Sequence, residues 1–266
     1  MVQLGVLRLR DGSRLPFQVP TDPTMAVELS RCVNTPSETN TSILRLQAPG
    51  GDPIEVAAKD VGGVELDPPF SVVENFLSEA EAERAMAHAL AHVSGFQDST
   101  ISNQYVQGAS TPDTRLRRSR ILNDVGAVVP MIGQRLHATM PRLWSELKMQ
   151  PMNFTQMECQ LSVHGDGDFF NTHTDNALPD IAHRVISYVY YFHKEPKRFS
   201  GGHLRIYKSV IDNGVHGVGD LVADIDPPRN GLIIFPSYIQ HEVTPVQCAS
   251  NDLADQRLTL NGWLSL

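Results

Sequence analysis

The clearest chemical signal in the sequence is a histidine followed two residues later by an aspartate, His173 and Asp175. Residues i and i+2 of an extended strand point to the same face, so one rigid strand could present both side chains to a metal ion. The pattern alone is weak, because a chain with 10 histidines can produce it by chance. A second copy occurs at His164 and Asp166, and His193 with Glu195 is a near relative.

The surroundings favour the first pair over the second. His164 lies in the run His164-Gly165-Asp166-Gly167-Asp168, which is typical of a turn, and a mobile backbone would fix a metal ligand poorly. His173 instead precedes a series of segments that the sequence predicts to be strands, 184–192, 200–207, 231–236, 241–246 and 256–264. The second of these begins with a Gly201-Gly202 turn.

The last predicted strand has an unusual alternation. Period 2 places four side chains on one face, Arg257, Thr259, Asn261 and Trp263, and three leucines on the other, Leu258, Leu260 and Leu264. This pattern makes sense if the polar face lines a pocket and the leucines pack against helices.

Helices are predicted between the N-terminal segment and these strands. Ser78 with Glu81 forms a capping box ahead of a helix that runs through Ala89 and His92. His88 and His92 share a face of it, and we interpret them as surface or packing histidines rather than a metal pair, since no third ligand accompanies them. A second helix is predicted from Val128 or Pro130 to about Lys148, with Pro141 bending or breaking it.

The first 67 residues indicate a small β-rich extension. Two hairpins are expected, one turning at Asp11-Gly12 and one at residues 49–52, with a polar loop over residues 34–41 between them. Gly62-Gly63 and Pro68-Pro69 mark a boundary near residue 67, so residues 68–266 form the main domain. The polar segment from Ser94 to Asp113 is long enough to be a lid or a substrate loop.

Composition limits the function classes. The 266 residues are 41% hydrophobic, which is ordinary for a globular protein, and 30 acidic against 22 basic residues give a net charge of -8. That charge provides no general attraction to nucleic acid or anionic membrane. One basic run occurs, Arg115, Arg117, Arg118 and Arg120, and it is interpreted as a half-exposed strand.

The cysteines and the hydropathy bear on the compartment. Three widely spaced cysteines, Cys32, Cys159 and Cys248, fit neither a disulfide framework nor a cysteine-rich zinc site. No 18-residue apolar run occurs. We therefore expect a soluble, cytoplasmic protein with no membrane and no nucleic-acid partner, and the oligomeric state stays open.

The order of the motifs along the chain resembles that in the iron(II)- and 2-oxoglutarate-dependent dioxygenases, specifically the prolyl 4-hydroxylase-like branch. The similarity covers roughly residues 70–266 and rests on the His-x-Asp pair, a strand ending in paired aromatics, the Gly-Gly turn, a distal histidine that opens a strand, and a basic residue before a Trp. The resemblance implies a mainly β fold with flanking helices, a double-stranded β-helix or jelly roll.

The resemblance also assigns residues. His173, Asp175 and His241 would form a facial triad for Fe(II), which leaves coordination positions for 2-oxoglutarate and O2. Arg257 would hold the distal carboxylate of 2-oxoglutarate, since a guanidinium matches a carboxylate with two parallel hydrogen bonds. The remaining positions expected around the cosubstrate are Tyr191, Leu204, Val243 and Asn261.

One position departs from the family. Relatives often have a tyrosine ten residues before the first ligand histidine, where this chain has Val163, and Asn171 is a candidate replacement for its hydrogen bond.

The implied function is hydroxylation of an aliphatic carbon, with 2-oxoglutarate converted to succinate and a reductant such as ascorbate in support. A prolyl or similar residue of a peptide or protein is the favoured substrate, and a free amino acid or small natural product is the alternative. Asp175 argues against a halogenase. A nucleic-acid demethylase is less favoured because Trp263 stands where a second arginine is typical, and a non-enzymatic jelly-roll binding module is the remaining alternative.

Overall fold

The computed structural model describes residues 3–20, 28–29, 31–33, 39–102, 110–111, 114–212 and 215–266. Contacts between Cα atoms divide the chain into two compact units, one of Met1–Pro69 with Tyr207–Val222 and one of Phe70–Ile206 with Ala223–Leu266. The unit that holds the expected N-terminal extension therefore also takes in a segment from late in the chain.

The first unit is built on two β-hairpins, as predicted. Its strands are β1 (Leu4–Leu9), β2 (Arg14–Gln18), β3 (Ile43–Gln47), β4 (Pro53–Ala57) and β5 (Val61–Leu66), and a 3-10 turn covers Ala58–Asp60. β1 pairs with β2 and with β5, and β3 pairs with β4, all antiparallel. Alternating side chains point inward, and Leu7, Phe17, Leu44, Leu46 and Val64 are buried in one apolar cluster. Part of the predicted polar loop over 34–41 lies outside the described residues.

A late strand completes this sheet. The strand β16 (Leu204–Asp212) pairs through Ser209–Asp212 with Gly63–Leu66 of β5. The next strand, β17 (Val215–Ile225), pairs with β16. Ile211 packs against the same apolar cluster as the hairpins, so the unit draws its core from two distant parts of the sequence.

In its described part the second unit contains two α-helices, as predicted. Helix α1 (Glu79–Ala91) begins at Ser78, whose hydroxyl accepts a hydrogen bond from the backbone of Glu81 while the Glu81 carboxylate accepts one from the backbone of Ser78. Helix α2 (Val128–Glu146) lies within the predicted range. It does not break at Pro141, because the exposed proline costs one backbone hydrogen bond while Met140, Leu143 and Trp144 around it pack in the core.

From residue 152 onward the predicted strands are present. The strands of this unit before β17 are β6 (Ser71–Val73), β7 (Gln97–Asp98), β8 (Ile101–Ser102), β9 (Ser110–Thr111), β10 (Arg117–Arg118), β11 (Arg120–Leu122), β12 (Gln156–His164), β13 (Phe169–His173), β14 (Arg184–Tyr191) and β15 (Ser200–Gly201). Those after it are β18 (Gly231–Pro236), β19 (His241–Val243), β20 (Val246–Gln247) and β21 (Arg257–Ser265). Short 3-10 turns cover Val93–Gly95 and Leu253–Asp255.

These strands form a double-stranded β-helix. A seven-stranded antiparallel sheet runs in the order β6-β18-β14-β21-β12-β11-β7, and a second sheet runs β10-β13-β19-β16. The helices cover the outer face of the seven-stranded sheet, where Leu258, Leu260 and Leu264 of β21 join Ile132 and Leu136 of α2 in the largest apolar cluster.

The segment predicted as a lid or loop is described only in part. Residues 103–109 and 112–113 lie outside the described residues, and the backbone at Ile101–Ser102 pairs with Ser110–Thr111. No described helix combines the length and the apolar character that crossing a membrane requires.

Candidate active site

Three side chains that the sequence singled out converge in the second unit. Ligand atoms of His173, Asp175 and His241 all lie within 4.8 Å of one another. His173 ends β13, Asp175 follows in the turn directly after it, and His241 begins β19. The two histidines face each other across the antiparallel ladder, so the sheet register brings together residues that are far apart in sequence.

Each imidazole is oriented by a main-chain carbonyl. Nδ1 of His173 lies 2.8 Å from the carbonyl oxygen of Asn171, and Nδ1 of His241 lies 2.9 Å from that of Ile239. A carbonyl oxygen only accepts, so both Nδ1 atoms carry hydrogen and both Nε2 lone pairs are free to bind a metal. Both Nε2 atoms point at the carboxylate of Asp175, each 3.6 Å from one of its oxygens.

Asp175 is prepared as the anionic ligand. Its burial opposes ionisation, but the neighbouring His241 and His173 and a 2.6 Å hydrogen bond donated by the Ser187 hydroxyl outweigh that effect, so the pKa of the carboxyl lies well below its usual range. Burial, together with the charge of His173, lowers the pKa of His241 to about 4. A carboxylate beside a neutral imidazole is the protonation state that binds a metal.

Aromatic rings fix the two histidines from the side. The Phe170 ring stacks on His173 with centroids 3.5 Å apart, and the Phe235 ring meets His241 edge-on at 4.7 Å. The donor set of two imidazoles and one carboxylate fits the facial arrangement used by non-haem Fe(II), and a fully protein-ligated zinc site would need a fourth donor.

The three ligands open into a cavity between the two sheets. It is lined by Arg117, Gln160, His164, Phe170, His173, Asp175, Tyr188, Val189, Leu204, His241, Val243, Arg257, Asn261 and Trp263. Four of the five residues expected around the cosubstrate, Leu204, Val243, Arg257 and Asn261, are therefore at the cavity. The alternation predicted for β21 holds at most positions. Arg257, Asn261 and Trp263 line the cavity and the three leucines pack on the helix side, whereas Thr259 is fully buried and is not in the cavity wall.

Arg257 is a buried cation at the wall of this cavity. Its side chain is 2% exposed. Its Nε donates to the carbonyl oxygen of Gly202 at 2.8 Å, and its Nη2 donates to the Tyr191 hydroxyl at 3.3 Å. Tyr191, the fifth expected residue, is not in the cavity wall. Its hydroxyl instead accepts the hydrogen bond from Arg257, which is in the wall.

Seven residues of the cavity wall were not predicted as site residues, and two of these, Arg117 and His164, have basic side chains. Arg117 comes from the basic run, which does form short strands, and its Nε donates to the Ser119 hydroxyl while its guanidinium lies 4.8 Å from the centre of the Phe170 ring. His164, considered only as a competing metal ligand, lies outside the metal cluster but in the cavity wall. For Arg117, the available sequence signal was its spacing from Ser119, because residues i and i+2 of a strand point to the same face.

Neither Val163 nor Asn171 takes the place of the tyrosine that relatives often have ten residues before the first ligand histidine. Val163 is fully buried in the helix-side core, so it does not face the cavity, whereas its neighbour His164 does. Asn171 does not replace the family tyrosine, because its exposed side chain donates to the carbonyl of Arg115.

His88 and His92 have structural contacts, as expected. Nε2 of His88 lies 2.9 Å from the carbonyl oxygen of Asp124, and Nδ1 of His92 lies 2.8 Å from that of His88. No metal cluster includes them among the described residues.

Comparison with known proteins agrees with this geometry. Residues 159–265 match the family model of the 2OG-Fe(II) oxygenase superfamily. An uncharacterized PKHD-type hydroxylase of Synechocystis sp. is 33% identical over 198 residues, which are 73% of this chain and 62% of that protein. This chain thus spans less than two thirds of the length of that relative.

Two solved structures show the same fold. A prolyl-4-hydroxylase of Pseudomonas putida has 18% identity and a TM-score of 0.52, and the match covers 74% of this chain and 92% of that one. A prolyl hydroxylase of Trichoplax adhaerens, solved with a peptide fragment of a hypoxia inducible factor oxygen degradation domain, has 18% identity and a TM-score of 0.56 over 74% and 84% of the chains.

Proposed function

Residues 159–265 belong to the 2OG-Fe(II) oxygenase superfamily, and on that premise we propose that this protein is an Fe(II)- and 2-oxoglutarate-dependent hydroxylase of an aliphatic carbon. The observation that carries the proposal is the group His173, Asp175 and His241, with its free Nε2 atoms and ionised carboxylate at the wall of a cavity. The family uses Fe(II), 2-oxoglutarate and O2, and this donor set suits iron.

Each side chain has a distinct task in this proposal. His173, Asp175 and His241 hold the iron, and Ser187 keeps the Asp175 carboxylate in place by its hydrogen bond. Arg257 binds the distal carboxylate of 2-oxoglutarate by charge-assisted hydrogen bonds in a site of low dielectric. Leu204 and Val243 provide apolar wall for the methylene groups of the cosubstrate. When bound, iron and 2-oxoglutarate supply the oxidising chemistry that a protein side chain cannot.

For the substrate, we propose a prolyl or similar residue in a peptide or protein. The peptide held by the Trichoplax enzyme and the PKHD-type relative support this class. A free amino acid or small natural product is the competing substrate class, since the same cavity could accept either. The three cysteines are free thiols, which supports the proposed cytoplasmic location.

The test is substrate-stimulated turnover of 2-oxoglutarate. The Fe(II)-loaded protein is mixed with 2-oxoglutarate and either a panel of proline-containing peptides or a panel of free amino acids, and succinate is measured together with products that gain one oxygen atom. Asp175→Ala is the inactive control. Oxygen gain in a peptide supports the substrate class. Stimulation by free amino acids alone would contradict it, and a wild-type protein that retains iron but forms no succinate with any panel would contradict the reaction.

A further inference from the structure

His164 is a buried side chain that the proposed reaction has not yet used. It ends β12, it is 2% exposed, and it forms part of the cavity wall. Its Nε2 is fully buried and has no hydrogen-bond partner among the described residues. A buried polar atom without a hydrogen-bond partner destabilises the folded protein. Such an atom at a cavity therefore indicates that a bound ligand supplies the missing partner.

The hydrogen bond at Nδ1, the other ring nitrogen, determines whether Nε2 donates or accepts a hydrogen bond. Nδ1 of His164 lies 3.4 Å from Nη1 of Arg257. A guanidinium group only donates hydrogen bonds, so Nδ1 must accept this one and must be unprotonated. Nε2 then carries the ring hydrogen. Burial, followed by the positive charges of Arg257 and Arg117, lowers the pKa of His164 well below its usual value, which agrees with a neutral ring.

The sheet places this donor beside the buried cation. His164 and Arg257 are directly paired residues on the antiparallel strands β12 and β21. The metal ligands lie on β13, the following turn and β19, in the opposite sheet. An N–H group next to a guanidinium, on the other side of the cavity from the metal ligands, is suited to bind a negatively charged group. That group would be at the end of a ligand that does not bind the metal.

We propose that Nε2–H of His164 donates a hydrogen bond to the distal carboxylate of 2-oxoglutarate and so forms, with Arg257, a two-residue clamp for that group. This inference rests on the proposed function, because it takes 2-oxoglutarate as the ligand. His164 is then a cosubstrate-binding residue and not a metal ligand.

The experiment measures binding rather than turnover. The Fe(II)-loaded full chain is titrated without oxygen, by calorimetry, with 2-oxoglutarate and with 2-oxopentanoate, which has the same carbon chain but no distal carboxylate. His164→Leu removes the donor at similar volume, and His164→Gln keeps an N–H donor. His193→Leu is the matched control, because His193 is also a buried histidine with an unpartnered ring nitrogen but lies outside the cavity wall.

We expect His164→Leu to weaken 2-oxoglutarate binding by roughly ten- to a hundredfold, as for loss of a hydrogen bond to a charged group, while iron content and 2-oxopentanoate binding stay unchanged. His164→Gln should recover part of the affinity, and His193→Leu should bind both ligands as the wild type does. Unchanged 2-oxoglutarate affinity in iron-loaded His164→Leu, or in His164→Ala if the leucine variant does not fold, would overturn the inference. An equal loss for both ligands would also overturn it. A wild-type chain that binds iron but no 2-oxoglutarate would instead overturn the proposed function.

Discussion

At the scale of single residues, main-chain hydrogen bonds orient the side chains of His173 and His241. Because each Nδ1 is held by a carbonyl two residues earlier, the tautomer and the ring orientation are set before any metal binds. The backbone of Asp175 is also held by a main-chain hydrogen bond, because its N–H donates to the carbonyl oxygen of Ser237 at 2.9 Å. The site is thus preorganised by local backbone geometry.

Removal of any one ligand side chain should abolish iron retention. We expect His173→Ala, Asp175→Ala and His241→Ala each to lose most of the bound iron and the activity, because two donors hold Fe(II) far more weakly than three. His164→Ala is the control and should retain iron, which metal analysis after desalting would show. Iron loss in His164→Ala with full retention in His173→Ala would reverse the assignment.

Arg257→Gln tests the proposed role of Arg257 as the anchor of the cosubstrate. We expect iron binding to persist and the apparent Michaelis constant for 2-oxoglutarate to rise about ten- to a hundredfold, because the distal carboxylate loses a charge-assisted donor pair. Arg45→Gln, at a surface arginine that is 77% exposed in its ion pair with Glu55, should leave the constant unchanged. An unaltered constant in Arg257→Gln would remove Arg257 from this role.

The residue level also shows what sequence reasoning can reach. His173 and Asp175 could be proposed from strand spacing together with the predicted strands that follow them, whereas His241 and Arg257 required a family resemblance, because no local period relates residues on different strands. The proximity of His164 to Arg257 could not be predicted from the sequence, since it depends on the register between β12 and β21. The sequence predicted a turn at His164, where the structure has the last residue of a strand.

At the scale of elements, the Gly201-Gly202 turn positions the buried cation. Gly202 has a φ of +65°, a left-handed conformation, and its carbonyl accepts the hydrogen bond from Arg257 Nε. A Cβ at this position would lie 2.5 Å from Cδ of Arg257 and 2.8 Å from Cγ2 of Val246. The turn and the side chain therefore fit only with glycine.

Gly202→Ala should weaken the binding of 2-oxoglutarate and also destabilise the fold. The left-handed backbone costs about 1–2 kcal/mol for alanine, and the Cβ displaces Arg257 from its place in the wall. Gly217→Ala, at a strand glycine with open space around it, is the control. Calorimetric titration and thermal unfolding would separate the two effects, and wild-type affinity in Gly202→Ala would show that the turn does not position Arg257.

The capping box of α1 gives a prediction about pH. The hydrogen bond from Arg135, followed by that from the Ser78 backbone, lowers the pKa of Glu81 from 4.5 to about 2. A carboxyl whose pKa is lower in the folded state stabilises the protein above pH 4.5, and this stabilisation disappears as the pH falls towards 2.

Glu81→Gln should therefore cost about 1 kcal/mol of unfolding free energy at pH 7, because it removes a surface ion pair and a charge at a helix N-terminus. The difference from wild type should shrink between pH 4.5 and 2. Urea unfolding at several pH values measures it, with the exposed Glu83→Gln on the same helix as control. A difference that does not change with pH would exclude this ionic origin.

Element types were largely predictable, and their exceptions have physical causes. The helix at 79–91 followed from its capping box, and the alternation along β21 followed from period 2. The continuation of α2 through Pro141 did not follow from local propensity, because burial of the neighbouring apolar side chains outweighs the loss of one backbone hydrogen bond.

At the scale of the whole molecule, the apolar clusters take their buried residues from different parts of the chain. The buried residues of the largest cluster all lie between Phe76 and Leu264, and those of the smaller cluster beside the cavity lie between Tyr191 and Ile239. The buried residues of the N-terminal cluster all lie between Leu7 and Val64. Among the residues that the structure describes, none from 1–66 is a buried member of the first two clusters.

A chain that begins at Asp67 should therefore fold and bind iron like the full chain. It leaves Ser209–Asp212 without their β5 partner, so its solubility should fall, because an unpaired strand edge favours association. A matched version in which a short Gly/Ser turn replaces Tyr207–Val222 should restore solubility. Iron content and circular dichroism are the measurements, and iron-free, insoluble protein in both versions would show that the N-terminal strands complete the catalytic fold.

The discontinuous make-up of the first unit has a consequence for biosynthesis. While the chain is being translated, β1 to β5 leave the ribosome early, but Gly63–Leu66 find their other partner only when Ser209–Asp212 emerge. Until then the nascent chain carries an open strand edge, the kind of edge to which other chains or a chaperone can add. Closure of that sheet requires a contact of long sequence separation, which is slow to form. The strands β1 to β5 are thus synthesised before the strands of the double-stranded β-helix, yet their sheet is complete only after most of that fold has left the ribosome.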